Sequence, residues 1–99
     1  MLEPDEILNF LREHKLTLKE RFFVTEIGLF GSFARNEQTE KSDIDFLVVF
    51  EHNTPDLYSV EKLLKVYLEN HLNREVDICA KKWINPIFKP LILKEAIYT

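Results

Sequence analysis

The run Asp43-Ile44-Asp45-Phe46-Leu47-Val48-Val49-Phe50 constrains this chain more than any other stretch. Its last five residues are all apolar and rich in β-branched and aromatic types, the composition of a strand buried on both faces. Such a strand needs cover, so the chain must build a sheet and pack helices on it. The opening of the run conflicts with that burial. Side chains two apart on a strand share a face, at about 3.3 Å rise per residue, so Asp43 and Asp45 stand together at the mouth of the strand. Two carboxylates that close repel each other when both are charged and dry. Folding alone does not ask for the pair.

The rest of the chain supplies the cover. Residues 5–20 read as a helix, with Ile7, Leu8, Leu11 and Leu18 on one side and Pro4 in the first turn, where its missing N–H costs nothing. Val24 to Phe30 reads as a strand that Gly31 breaks, with a short helix over 32–37 and a polar loop over 38–42. Thr54-Pro55 looks like an N-cap followed by a first-turn proline. The helix it opens carries Leu57, Val60, Leu63, Leu64, Tyr67 and Leu68 at helical spacing and ends near 70–73. A third strand spans 74–80, a loop with Pro86 and Pro90 follows, and a last helix spans 91–98. The order α-β-α-β-α-β-α predicts two layers, helices over a small sheet, in one domain over residues 1–99.

Composition narrows the function classes. Seventeen acids against 13 bases give a formal charge of −4, with no basic stripe of the kind that nucleic-acid binding uses. Cys79 is the only cysteine, so no internal disulfide forms, as suits a reducing compartment. The acidic N-terminus lacks the apolar core of a signal peptide, and no apolar run approaches 18 residues. The expectation is a cytoplasmic chain that binds neither membrane nor nucleic acid.

Three features could carry chemistry. An Asp-x-Asp pair can hold a hard cation such as Mg²⁺, which takes one or two carboxylates plus substrate phosphates. Taken alone, Asp43 could equally cap its loop and Asp45 face water. A Gly31-Ser32 turn after a strand exposes backbone N–H groups and a hydroxyl to phosphate oxygens, although Gly-Ser turns are common. Asp77, on the face opposite Val76 and Ile78, sits poorly by propensity inside a short apolar strand unless it joins the same site or lies on an exposed edge. Arg35 could touch phosphate or pin the turn by an ion pair. Lys81-Lys82 could touch phosphate or a partner, or be solvated. His14, His52 and His71 are not spaced as metal ligands.

Gly31-Ser32, Ala34-Arg35, Ser42-Asp43-Ile44-Asp45 and the downstream Asp77 together resemble the minimal nucleotidyltransferases of the DNA-polymerase-β-like superfamily. The similarity spans nearly the whole chain, including the first helix and Leu91-Ile92-Leu93-Lys94-Glu95-Ala96. The resemblance implies an α+β fold with a mixed sheet. It implies two Mg²⁺ ions on Asp43, Asp45 and Asp77, and a nucleoside triphosphate, ATP by family expectation, whose distal phosphates rest on Gly31 and Ser32. The reaction it implies is attack of a hydroxyl on the α-phosphate with pyrophosphate leaving, with Asp77 favouring the metal at the nucleophile. Asn36 replaces the family's usual glycine after the arginine, and asparagine tolerates a left-handed backbone best after glycine.

With a single domain expected over these 99 residues, a protein partner is the simplest expected source of the hydroxyl. Stand-alone domains of this kind resemble the antitoxin half of toxin–antitoxin pairs with an all-helical HEPN toxin, in which AMP is transferred from ATP to a toxin tyrosine. The alternatives are an antitoxin that only binds, and an enzyme for a small-molecule hydroxyl, acting as a homo-oligomer that builds the acceptor site between subunits.

Overall fold

In the computed structural model, which describes residues 2–99, the chain forms four α-helices around a four-stranded mixed sheet. The elements are α1 (Pro4–Glu13), α2 (Lys15–Phe22), β1 (Val24–Phe30), β2 (Ile44–Phe50), α3 (Leu57–Leu72), β3 (Val76–Ala80), α4 (Lys89–Glu95) and β4 (Ile97–Tyr98), with a 3₁₀ turn at Lys81–Trp83. The sheet order is β3-β2-β1-β4. β1 runs antiparallel to β2 and β4, while β2 and β3 are parallel, their connection made by α3. Among the described residues no helix is long and apolar enough to cross a membrane.

β2 is the central strand that its composition requires. Phe46, Leu47 and Val48 are all fully buried although successive side chains point to opposite faces. One face packs against the first three helices. Ile44, Phe46 and Val48 join Ile27, Leu29 and Val76 from the neighbouring strands, and Ile7, Leu11, Leu18, Leu64 and Leu68 from the helices. Asp45 and Asp77 therefore lie on the other face, away from that core, and Asp77 borders a cavity with Tyr58, Glu61, Lys62 and Lys65 of α3.

The helical stretch over 5–20 is two helices. The chain bends at His14, whose backbone N–H and ring both engage the Phe10 carbonyl and whose ring stacks on Phe10 at 4.0 Å. The double demand on one carbonyl ends α1 and lets α2 turn toward α3. α3 starts two residues later than Thr54-Pro55 suggests. The Thr54 hydroxyl reaches back to the Glu51 carbonyl, 2.6 Å away, so it closes a turn and Asp56 takes the cap position. The third strand starts at Val76 rather than 74, and the last helix ends at Glu95. Beyond it the chain extends, and Tyr98 pairs with Gly28 on β1. The approach is close: a Cβ on Gly28 would lie 3.1 Å from the Tyr98 ring.

Residues 31–36 form turns, and the helix expected over 32–37 does not form. Gly31 and Asn36 both take left-handed backbone, φ 74° and 57°, and helical φ is negative. Between them Phe33 is fully buried in the core, which pulls the segment inward. The Arg35 N–H still bonds to the Gly31 carbonyl and the Glu37 N–H to the Ser32 carbonyl. Asn36 thus does the backbone work expected of it in place of glycine.

Candidate active site

The sheet register gathers the site. Phe30 pairs with Asp45 and Asp45 with Asp77, so the three form one row across β1, β2 and β3. Register partners on adjacent strands share a face and stand about 5 Å apart. Asp45 and Asp77 are therefore neighbours, and Gly31 follows Phe30 at the same edge of the sheet. Asp43, just before β2, is exposed, as is Asp77, whereas Asp45 is half-buried.

That arrangement perturbs Asp45. Burial pushes its carboxyl up to about 6, and the charges of Asp77 and then Asp43 push the same way; Arg35 opposes them weakly. The three carboxylates do not form a closed cage. Among the described residues no three His, Cys, Asp or Glu side chains gather tightly enough to hold an ion unaided. Carboxylates without a counter-charge spread apart, and Mg²⁺ characteristically takes only one or two of them and completes its shell with water and phosphate oxygens. Hard oxygen donors, crowded enough to raise one pKa and open to solvent on one side, fit a Mg²⁺ that arrives with a phosphate ligand.

Gly31 backs onto the same carboxylate. A Cβ there would run into Asp45 Oδ2 and lie 3.0 Å from its Cγ, and the φ of 74° is itself a glycine conformation. Only a residue without a side chain brings the turn this close to Asp45. Ser32, the next residue, is half-buried.

Two residues that local pattern did not single out hold the site together. Glu95, on α4, accepts a hydrogen bond from the Gly31 N–H (3.3 Å) and forms an ion pair with Arg35. Arg35 also pairs with Glu37 at 2.8 Å. Of the two readings of Arg35, the ion pair that pins the turn is formed. A phosphate approaching the Gly31 amide meets Glu95 already there. Arg74, just before β3, donates to the carbonyls of Ser42 (2.8 Å) and Thr39 (3.1 Å) and so clamps the loop that delivers Asp43. Lys81 and Lys82 lie elsewhere. They follow the far end of β3 and line a separate cavity of about 410 Å³ with His52, Asn53 and Thr54.

The Glu95 contacts set a stability expectation. Glu95→Ala leaves the Gly31 N–H and Arg35 without their partner and lowers stability by about 1–2 kcal/mol, read as a fall in melting temperature. Glu95→Gln keeps an acceptor for Gly31 and recovers part of that loss.

The geometry has relatives. The nucleotidyltransferase domain family model matches residues 11–98. A candidate protein adenylyltransferase of Methanocaldococcus jannaschii is 47% identical over 94 residues, covering 94% of each chain. The protein adenylyltransferase MntA of Thermococcus cleftensis is 42% identical over 98 residues, covering 99% of this chain and 97% of its own. Among solved structures, a candidate minimal nucleotidyltransferase superposes with a TM-score of 0.79 at 35% identity, over 97% of this chain and 95% of its own. The fold also matches a chain of the Shewanella oneidensis complex between a tri-AMPylated HEPN toxin and an MNT antitoxin. There the TM-score is 0.58 at 18% identity, over 96% of this chain and 66% of that one.

Proposed function

The chain belongs to the nucleotidyltransferase domain family, and on that premise we propose that it transfers AMP from ATP to a hydroxyl of a partner protein. The acceptor in this reading is a tyrosine of a HEPN toxin, which the modification silences, so the chain acts as the antitoxin. Relatives named as protein adenylyltransferases support the AMP and the protein acceptor, and the fold neighbour from a HEPN complex is consistent with the partner. The observation that carries the reading is the row Asp45–Asp77 with Gly31 backed onto the Asp45 carboxylate.

Each residue has a part. Asp43, Asp45 and Asp77 would hold Mg²⁺. Bound there, it offsets the charge that builds on the triphosphate. The Gly31 and Ser32 turn receives the distal phosphates, which compete with Glu95 for the Gly31 N–H. Arg35 then lies beside the triphosphate and adds positive charge. The acceptor oxygen attacks the α-phosphorus, the bond from that phosphorus to the bridging oxygen of the β-phosphate breaks, and pyrophosphate leaves. Asp77, exposed on the edge strand, takes the proton of the attacking hydroxyl.

The position of an ATP label distinguishes this reaction from phosphoryl transfer. With Mg²⁺ and a co-expressed HEPN-domain protein, label at the α-phosphate is expected on the partner and label at the γ-phosphate in released pyrophosphate. Label from the γ-phosphate on the partner would contradict nucleotidyl transfer.

A further inference from the structure

We propose that the segment Trp83–Leu91 is the docking surface for the acceptor protein, which meets it with an apolar patch rimmed by acidic side chains. The proposal rests on the protein-acceptor reading above. Residues 85–91 are exposed without a break. Within and beside that stretch Trp83 is 73% exposed, Ile87 80%, Phe88 56% and Leu91 67%. Large apolar side chains this open to solvent, and following one another so closely along the chain, are what an interaction site uses. α4 buries none of its own residues.

Charge says what covers the strip. Residues 81–94 hold four lysines, Lys81, Lys82, Lys89 and Lys94, and none of the chain's 17 acids. The segment is a basic, apolar island on an acidic chain. A second copy seated on it through a two-fold axis would bring Lys89 and Lys94 close to their own counterparts, an arrangement interfaces avoid. An acidic rim around an apolar patch complements it.

Position says why the occupant is the acceptor. Leu91 and Glu95 are four residues apart on α4, hence on one face and about 6 Å apart along the axis. Glu95 bonds to Gly31 at the edge of the candidate active site. Leu91 lies one turn from Glu95 along α4. A protein anchored on Leu91 and Phe88 sits within about two helical turns of Glu95, which bonds to Gly31 beside Asp45, the place where its hydroxyl must arrive.

The test uses Phe88→Ser/Leu91→Ser and Lys89→Glu/Lys94→Glu, exposed positions whose substitution leaves the fold intact by melting temperature. The probe is the co-expressed HEPN-domain protein. Both variants are expected to bind it at least about tenfold more weakly and to raise its KM by a similar factor. ATP affinity, by calorimetry without the partner, stays at the wild-type value. Wild-type binding and modification by both variants would overturn the surface and leave the AMP-transfer reading standing. Strip-dependent binding by a wild-type chain that transfers no AMP would support the surface and sink that reading. A wild-type dimer that the serine variant splits, or strip-dependent adsorption to phosphatidylserine vesicles, would overturn the surface by showing another occupant.

Discussion

Asp45→Asn is expected to reduce nucleotidyl transfer by at least about 10²–10³-fold and at the same time to make the protein more stable. Both effects come from one cause. Burial and the neighbouring Asp77 and Asp43 charges hold the Asp45 carboxyl at about 6, above its ordinary value of 3.8. Between those values the folded protein keeps a proton that the unfolded chain releases. The Asp45 contribution is therefore most favourable below about pH 4 and is lost as pH rises through 6. At pH 7 to 8, without divalent cation, the folded state carries the full penalty of an ionised Asp45. Asparagine removes it. Because Asp45 is only half-buried, water screens much of the repulsion, and the gain is about 1 kcal/mol rather than the larger figure the shift implies at face value. Thermal melts of both forms at pH 4 and pH 7.5 in EDTA check the sign. The variant melts higher at pH 7.5, and the difference closes at pH 4. A variant less stable at pH 7.5 would show that Asp45 is not the strained member of the site.

Gly31→Ala is expected to damage both fold and activity. The left-handed φ alone costs an alanine about 1–2 kcal/mol, and its methyl would also run into the Asp45 carboxylate. Either the turn or Asp45 must move, for a total of about 2–4 kcal/mol and a melting temperature lower by roughly 10–20 °C at this chain length. Displacing Asp45 also disturbs the row it forms with Asp77, so the variant that does fold transfers AMP poorly. Asn36→Gly is the matched control. It also has left-handed φ, but glycine adopts that backbone without strain, so its melting temperature stays near wild type. Equal behaviour of Gly31→Ala and wild type would mean that the close approach to Asp45 has no consequence.

The elements that local periodicity specifies were legible before the structure. β2 announces its burial through an unbroken apolar run, and α3 through its helical spacing. The alternation of Val76, Asp77 and Ile78 in β3 predicts which side chain leaves the core, and burial follows it. What was not legible depends on contacts between distant residues, or on side chains that bond to their own backbone. The His14 ring bends the first helix by taking the Phe10 carbonyl, and the Thr54 hydroxyl caps backward rather than forward. The turn after Gly31 is drawn out of helical form because Phe33 is anchored in the core. β4 exists because Gly28 leaves room for Tyr98, seventy residues later. At the site, the aspartates and the glycine carry a spacing that can be read locally. Glu95 and Arg74 do not. Glu95 meets Gly31 across 64 residues and Arg74 meets Ser42 across 32, so no window along the chain connects them. Glu95 showed only as one residue of the C-terminal stretch that shares the family resemblance, with no role attached, and Arg74 only as an arginine at the edge of a strand.

On the proposed function, the row of aspartates drives AMP transfer to a protein. The most direct measurement is the intact mass of the HEPN-domain protein after incubation with ATP, Mg²⁺ and either the wild-type chain or Asp43→Ala/Asp45→Ala. Wild type is expected to add one or more AMP units to that protein and the double variant none. No gain with wild type, or the same gain with both, would contradict the proposed function.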